Sequence, residues 1–384
     1  MTTVDDLPRG LEGVVVSTTT IGDVRGDEGF FHYRGYSGAD LARDRDLTDV
    51  VALLVDGALP STAAEHAAIA AELQRGRAAP AELLELLPVV AGAGGVPMDH
   101  LRSALSLAGQ VYGLRPVHDL DPAARRRDAL RIAAVVPTLV AGLHRASLGL
   151  APVTSRPDLD VAADYLWMLT GEEPEAAHAR AVDQYLVLTV DHGFNASTFT
   201  ARIATSTGGD LAGIVTAALA TLSGPLHGGA PSRALEMLDE IGDHDRAGAY
   251  VRDVVARDGR VMGFGHRVYR THDPRSEVLH ETARAIDAPL LGLAEQVEDE
   301  IVTALAELKP GRELYANVEY YAGVVMDAAG IPRELFTPTF TISRSIGWVA
   351  HSLEQAADNR LVRPASRYVG EPAPRPVPAP PYAA

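Results

Sequence analysis

Apolar residues recur at helical spacing along most of the chain. In the first such stretch they fall at i, i+3, i+4, i+7 and i+8, namely at Leu47, Val50, Val51, Leu54 and Val55. This spacing puts them on one face of a helix, and Gly57 with Pro60 predicts where that helix ends. Thr62 and Glu65 have the spacing of a capping box and predict the start of the next helix.

Three further stretches have the same character. Apolar-faced helices are predicted between 83 and 146, with Gly- and Pro-rich breaks at 92–97 and 113–122. Residues 211–222 are nearly all apolar and predict a central helix that is buried on most of its faces. A late helix over 339–357 carries an apolar stripe at Ile342, Ile346, Val349 and Leu353.

Strands are predicted only near the N-terminus. β-Branched residues fill the segment 11–21, and the segment 30–36 follows after a turn rich in Gly and Asp. Two short strands should therefore pair as a hairpin. The predicted fold class is all-α, with a short N-terminal β-hairpin.

The chain is long enough for more than one hydrophobic core, at 384 residues. A Gly/Pro-rich break at 224–229 marks the first boundary, and the following region is more charged. We predict a large domain over 1–228 that the chain rejoins over 336–370, and a small domain over 229–335. The tail, 371–384, contains six prolines in fourteen residues and should be extended or disordered.

Composition and charge exclude several classes of function. The formal net charge of −17 argues against binding to nucleic acid or anionic membranes, so any anionic ligand needs local cations. Because cysteine is absent, the chain forms no disulfide and offers no thiolate nucleophile or metal ligand. A cytoplasmic location is expected. The longest apolar runs are shorter than the roughly 20 residues that cross a bilayer, so no membrane span is expected.

Three histidines lie in unusual segments: His192 in DHGFNAS, His227 in GPLHGGA and His266 in GFGHRVY. A single histidine of this kind is most often a hydrogen-bonded structural residue. Glycine neighbours permit a ligand to approach the backbone closely, which favours a functional role for these segments.

Cationic side chains concentrate after the third histidine, where Arg267, Arg270 and Arg275 follow within nine residues. A solvated basic loop would explain them equally well. Arg344 is different, because it lies in the middle of the late apolar helix and a buried guanidinium needs an anionic partner. Arg363, just before a proline, is ambiguous by itself.

One carboxylate stands out, Glu319 in the segment NVE, although a lone glutamate is usually a surface charge. The sequence has no P-loop, no GxSxG, no HExxH and no GxGxxG after a strand. Phosphoryl transfer, serine hydrolysis, zinc proteolysis and nicotinamide chemistry therefore lack support.

The sequence resembles the citrate synthase family over 11–370. The resemblance is carried by the order and spacing of four segments, GPLHGGA, GFGHRVYR with DPR, NVE and RPASRYVG. It implies a nearly all-α homodimer of two-domain chains, in which the domains close over oxaloacetate and build the acetyl-CoA site. The implied reaction is acyl transfer, the condensation of acetyl-CoA with oxaloacetate. No metal or redox cofactor is expected.

The resemblance also implies roles for individual residues. His227 would hydrogen-bond the thioester carbonyl, His266 would protonate the oxaloacetate carbonyl, and Glu319 would be the general base. Oxaloacetate would be held by His192, Asn195, Arg275, Arg344 and, from the partner subunit, Arg363. The acyl-CoA would contact Val261, Gly263, Phe264, Gly265, Arg270 and Asn317.

The sequence departs from the family pattern at the base, where most members have aspartate and this chain has Glu319. The extra methylene moves the carboxylate by roughly 1 Å or more unless the backbone compensates, and such an error can cost about 10²-fold in rate. Three readings stay open: a citrate synthase, a 2-methylcitrate synthase that uses propionyl-CoA, and a weakly active paralogue that binds citrate or CoA.

Overall fold

The computed structural model describes residues 8–225, 227, 231–257, 259–266, 268–311 and 313–378. Four parts of the sequence predictions lie outside these residues: the first seven residues, the boundary between 228 and 229, Arg267, and the end of the tail at 379–384.

A small antiparallel sheet lies near the N-terminus, with strands β1 (Gly22–Arg25), β2 (Phe30–Tyr33) and β3 (Tyr36–Ser37) in that order. The predicted N-terminal hairpin is confirmed, but the position of its first strand was wrong. The β-branched segment 11–21 lies outside the sheet and is largely exposed. β-Branched residues favour strands only where they pack on a half-buried surface, and Val15, for example, is 88% exposed.

The first part of the chain is helical, and the predicted all-α class is confirmed. α2 has the predicted bounds, and Gly57 ends it in the left-handed conformation with φ 90°. The central helix α11 also has the predicted bounds. The helices are α1 Gly38–Asp44, α2 Leu47–Asp56, α3 Ala63–Arg77, α4 Ala81–Leu84, α5 Leu87–Ala91, α6 Pro97–Val111, α7 Pro122–Ser147, α8 Val161–Thr170, α9 Ala176–Thr189, α10 Ala196–Ser206 and α11 Leu211–Leu222.

The later helices are α12 Pro231–Ile241, α13 Ala247–Ala256, α14 Pro274–Ala285, α15 Leu291–Leu308, α16 Val318–Ala328 and α17 Phe336–Ala357. α12 and α14 pack on α16, and α13 packs on α15. The chain then returns through α17, which packs on α7 and α10. α17 begins three residues before the predicted start. The division into two domains stays a prediction.

α7 is long and apolar enough to cross a membrane by composition alone, but 78% of its apolar window is buried inside the protein. It packs against α3, α5, α6, α8, α11 and α17. Burial against other helices explains the apolar composition of α7 as that of a core helix.

Candidate active site

The three predicted histidines lie in loops that meet at one place. His192 lies between α9 and α10, His227 follows α11, and His266 precedes α14. The ring centroids of His192 and His266 are 5.3 Å apart, and His192 Nε2 is 3.1 Å from the hydroxyl of Tyr269. Burial lowers the pKa of both His192 and His227, and the positive charge of Arg344 adds to the lowering in each case, which places these groups in one electrostatic environment.

The start of α10 positions His227. Asn195 caps this helix, because its side-chain oxygen accepts hydrogen bonds from the backbone N–H groups of Ser197 and Thr198. The Ser197 N–H also lies 3.3 Å from His227 Nε2, and the Ser197 hydroxyl lies 3.0 Å from the same nitrogen. The indole N–H of Trp348 donates to that hydroxyl at 3.1 Å. A backbone N–H can only donate, so His227 Nε2 is an acceptor and Nδ1 carries the proton.

Backbone amides also fix the tautomer of His266. Its Nδ1 accepts from the N–H groups of Val268 and Tyr269, each at 3.0 Å, so the proton of the neutral ring lies on Nε2. The longer 3.4 Å contact between this nitrogen and Nη2 of Arg275 is then an approach of two N–H groups and not a hydrogen bond. Desolvation, reinforced by the charge of Arg275, lowers the pKa of His266 to about 4. Desolvation and Arg344 likewise lower the pKa of His227 to about 4. Both imidazoles are therefore neutral hydrogen-bond donors near pH 7.

Glu319 lies in the first turn of α16, two residues after the N-cap Asn317, which accepts from its backbone N–H. Its carboxylate has no hydrogen-bond partner within the described ranges. Burial raises the pKa of Glu319 to about 7, although the charge of Arg275 opposes the rise. A half-buried, unpaired carboxylate with this pKa is suited to accept a proton at neutral pH.

Arg275 is buried and paired with Asp273, the N-cap of α14. Its Nε is 3.0 Å from one carboxylate oxygen, and its Nη2 is 2.8 Å from the other. The second oxygen also accepts from the N–H of Val318 at 3.0 Å, so Asp273 joins the starts of α14 and α16. Arg275 keeps only Nη1 without a hydrogen-bond partner among the residues that the structure describes.

Arg344 is 2% exposed, and no carboxylate of the described residues lies within 4 Å of it. Its Nε donates to the carbonyl of Thr189 at 2.9 Å, and its guanidinium lies 4.6 Å from the centre of the Phe340 ring. Both terminal nitrogens lack a hydrogen-bond partner in the described part of the chain. Burial lowers the pKa of Arg344 to about 10 against the opposing charge of Asp191. A buried guanidinium with two free nitrogens is a strong site for a carboxylate.

The predicted CoA loop is fixed against the segment that leads to Glu319. The Gly265 N–H donates to the Tyr315 carbonyl, and the Asn317 N–H donates to the Gly263 carbonyl, both at 2.8 Å. The side-chain amide of Asn317 donates to the Gly265 carbonyl at 2.9 Å. Asn317 therefore links the loop to the helix that carries the candidate base.

Two left-handed glycines let this loop lie so close to α16. Gly263 has φ 77° and Gly265 has φ 78°. A Cβ at Gly263 would come within 3.1 Å of the Tyr320 ring. Phe264 contacts the same ring edge-on, with centroids 5.0 Å apart, and Val261 is buried.

Two of the predicted site residues, Arg270 and Arg363, are exposed and make no side-chain hydrogen bond to this centre within the described ranges. The guanidinium of Arg270 is exposed and has no ion pair within the described ranges, while its backbone N–H donates to Gly26. Arg363 is exposed, next to Val362, whose N–H donates to Ser206 at the far end of α10. Ten residues of helix correspond to about 15 Å, so Arg363 does not reach the start of α10 in its own chain.

The sequence analysis missed four residues of this site: Asp191, Ser197, Tyr269 and Asp273. Asp273 followed by Pro274 has the pattern of an N-cap with proline at the first helical position, which could have revealed it. The roles of the others depend on contacts between distant segments and have no local pattern.

Two clusters of Asp and His side chains in the described ranges are compact enough to bind a metal ion. One contains Asp46, Asp49 and His66, and the other contains Asp243, His244 and Asp245. Neither group includes a predicted site residue, and exposed acidic clusters are common without a metal.

Residues 10–365 match the family model described as citrate synthase, C-terminal domain. The citrate synthase of Acidithiobacillus ferridurans is 38% identical, with 94% of this chain and 95% of that protein covered. The crystal structure of citrate synthase from Pyrobaculum aerophilum is 35% identical, with a TM-score of 0.85 and coverage of 96% and 94%.

A Thermoplasma acidophilum citrate synthase in a ternary complex with carboxymethyl coenzyme A and oxaloacetate is 27% identical, with a TM-score of 0.87 and coverage of 97% and 98%. The match over nearly the whole chain agrees with the helical fold and with the residues gathered at the site. The chain belongs to the citrate synthase family.

Proposed function

We propose that this protein condenses acetyl-CoA with oxaloacetate and hydrolyses the product to citrate and CoA. One observation carries the proposal: an unpaired carboxylate with a pKa of about 7, Glu319, shares a site with two histidines whose backbone contacts leave each a neutral donor. This combination suits proton abstraction next to a carbonyl, since the base is available near pH 7 and the donors can stabilise the developing charge.

In the first step Glu319 removes a proton from the methyl group of acetyl-CoA. The electrons move onto the thioester oxygen, where the Nδ1–H of His227 donates a hydrogen bond. A neutral imidazole stabilises this oxygen without fully protonating it, and its low pKa of about 4 keeps it neutral.

In the second step the enol carbon attacks the ketone carbon of oxaloacetate, and the Nε2–H of His266 supplies the proton to the ketone oxygen. The proton that Glu319 took from the methyl group replaces it on the imidazole, so His266 and Glu319 both return to their starting states. The free fork of Arg344 suits one carboxylate of oxaloacetate, and Nη1 of Arg275 suits the other. His192 completes the substrate contacts. Domain closure excludes bulk water during these two steps. A water molecule then hydrolyses the thioester of citryl-CoA to give citrate and free CoA.

For CoA, the loop of Val261, Gly263, Phe264 and Gly265 offers close backbone approach, and exposed Arg270 offers a charge for a phosphate. Asn317 was predicted to contact the pantetheine arm and Asn195 to contact oxaloacetate. Both side chains already serve as helix caps, so we propose that they act mainly by placing Glu319 and Ser197.

The proposed active unit is a homodimer. Arg363 is exposed and lies beside the C-terminal end of α10, too far from the start of that helix to reach its own site, which favours a contribution to the site of a second copy. The absence of cysteine and the net charge of −17 favour a cytoplasmic enzyme.

The test is release of free CoA thiol by the purified protein, given oxaloacetate with acetyl-CoA or propionyl-CoA. Glu319→Gln keeps the size of the side chain and removes the base, and Glu319→Ala removes both. We expect turnover by the wild type and a loss of at least about 10³-fold in both variants, because Asp191 and Asp273, the other carboxylates described at this site, are already hydrogen-bonded. No turnover by the wild type with either thioester would contradict the proposal and leave a binding role.

The acyl preference is a separate question. One methylene in an apolar pocket changes binding by only about 1–3 kcal/mol, so either acetyl-CoA or propionyl-CoA fits the site described here. We propose acetyl-CoA because the compared relatives are named citrate synthases. A kcat/KM that is higher for propionyl-CoA would identify a 2-methylcitrate synthase instead.

A further inference from the structure

We propose that His351 is a positioning residue for oxaloacetate recognition, acting through Asp191 on Arg344 and His192. The inference rests on the proposed function, since it concerns how the substrate-binding arginine is kept free. His351 is fully buried in α17, two turns beyond Arg344.

One face of α17 lies directly on the segment that leads to His192. Arg344 Nε donates to the Thr189 carbonyl, and His351 Nε2 lies 3.2 Å from Asp191 Oδ1. Between them is Gly347, where a Cβ would come within 2.2 Å of the Val190 carbonyl oxygen. Three successive residues, 189, 190 and 191, therefore contact one face of α17. Glycine at position 347 is required because any side chain there would collide with the Val190 carbonyl.

The partners of His351 fix its tautomer. Its Nδ1 lies 3.2 Å from Arg202 Nη1, and a guanidinium can only donate, so Nδ1 is the acceptor. Its Nε2 therefore carries the proton and donates to Asp191. The other oxygen of Asp191 accepts from the Gly193 N–H at 3.1 Å. The carboxylate of Asp191 therefore fixes the backbone on both sides of His192, at Asp191 itself and at Gly193.

Arg202 is itself held rigidly. It is 4% exposed, and its Nη1 also donates to Glu354 Oε2 at 2.6 Å. The other oxygen of Glu354 accepts from the N–H and the hydroxyl of Thr20, at 2.7 and 2.8 Å. A chain of hydrogen bonds thus runs from exposed Thr20 through Glu354 and Arg202 to His351 and Asp191. Because both ring nitrogens of buried His351 have a partner, the ring has little freedom to turn.

This arrangement matters because Asp191 is the carboxylate whose charge acts most strongly on Arg344. Its hydrogen bonds to His351 and Gly193 keep it more than 4 Å away from the guanidinium. Without the donor at 351, the carboxylate would lack a partner for Oδ1 and would pair with the free nitrogens of Arg344. It would then compete with the substrate for the same cation.

The test compares His351→Gln with His351→Leu. The Gln amide can donate to Asp191 and accept from Arg202, so it should keep oxaloacetate affinity within a few fold of the wild type. The Leu variant loses both contacts, and its oxaloacetate KM and its dissociation constant from calorimetry should rise roughly 10- to 100-fold. The KM for acyl-CoA at saturating oxaloacetate should stay nearly unchanged.

Two further variants separate positioning from general damage. His100→Leu removes another buried histidine, on α6, whose Nε2 lies 3.0 Å from the Gly94 carbonyl. It should lower stability without changing the oxaloacetate KM. Adding Asp191→Asn to His351→Leu removes the competing charge and should restore most of the lost affinity.

Equal oxaloacetate affinity in the Leu variant and the wild type would overturn the inference, as would a double variant no tighter than His351→Leu. A wild type that binds oxaloacetate without releasing thiol would contradict only the proposed reaction, and the ratio of dissociation constants would still decide the role of His351. A wild type that does not bind oxaloacetate would overturn both.

Discussion

The raised pKa of Glu319 makes a quantitative prediction about the pH dependence of turnover. Burial of its carboxyl raises the pKa from an ordinary value of 4.5 to about 7, and a base must be ionised to act. The rate should therefore fall about tenfold per pH unit below 7, leaving about 1% of the plateau at pH 5. With an ordinary glutamate, about three quarters of the activity would remain at pH 5.

The two histidines proposed to be catalytic, His227 and His266, should not disturb this profile. Their pKa values of about 4 keep both neutral across the range from 5 to 8. The acid limb should thus have a slope of one, from Glu319 alone. The assay is thiol release between pH 5 and 8.5, with both substrates well below their KM values so that the rate reports on the free enzyme.

Stability gives a check that does not depend on activity. Raising the pKa from 4.5 to about 7 means that the folded state binds the proton more tightly than the unfolded chain. Ionisation of Glu319 therefore lowers the free energy of unfolding, and above pH 7 the decrease reaches its full size of about 3 kcal/mol. The decrease becomes smaller as the pH falls towards 4.5. Glu319→Gln should accordingly be more stable than the wild type at pH 8 and gain little at pH 5.

A midpoint near pH 4.5 in turnover, together with equal denaturation midpoints for Glu319→Gln and the wild type at pH 8, would refute the reasoning. Either result would mean that water reaches the carboxylate freely. Burial would then have no effect on the pKa of Glu319.

Three further predictions follow from other contacts. Glu319→Asp should lower kcat by about 10²-fold, because the start of α16 is fixed by Asn317 and the shorter side chain retreats from the substrate; a higher kcat would show that glutamate fits poorly. Arg344→Gln should raise the oxaloacetate KM by about 10- to 100-fold and leave the acyl-CoA KM unchanged in steady-state assays. Asp164→Asn breaks the buried pair with Arg77, whose atoms are 2.6 Å apart, and should lower the free energy of unfolding by about 3–5 kcal/mol in urea denaturation with little change in kcat.

Much of the fold could be predicted from the sequence because helical periodicity is a local property. The bounds of α2 and α11 follow from the spacing of apolar residues and from the residues that end each helix. The first strand could not be placed in this way. β-Branched residues at 11–21 have no surface to pack on, whereas Gly22–Arg25 pairs with Phe30–Tyr33, whose buried residues anchor the sheet.

The candidate site was predictable only in part. Family resemblance selected the histidines, arginines and Glu319, and the structure brings His192, His227, His266, Arg275, Arg344 and Glu319 into one region. The supporting contacts were not predictable, because they join segments far apart in the sequence. Asp273 binds the start of another helix at Val318, and Ser197 places His227, 30 residues later.

Three helices begin at the site with one local pattern. The N-caps of α10, α14 and α16 are Asn195, Asp273 and Asn317, and the residue two positions later takes part in each case: Ser197, Arg275 and Glu319. Three positive helix ends therefore begin at the region that we propose binds a dianion, in a chain of net charge −17. Further arginines could supply the same attraction, but one paired with Glu319 would hold its carboxylate ionised and weaken it as a base. The N-terminal end of α16 also favours the ionised form of Glu319, but it does so more weakly than a paired guanidinium would, and burial still raises the pKa of that carboxyl to about 7.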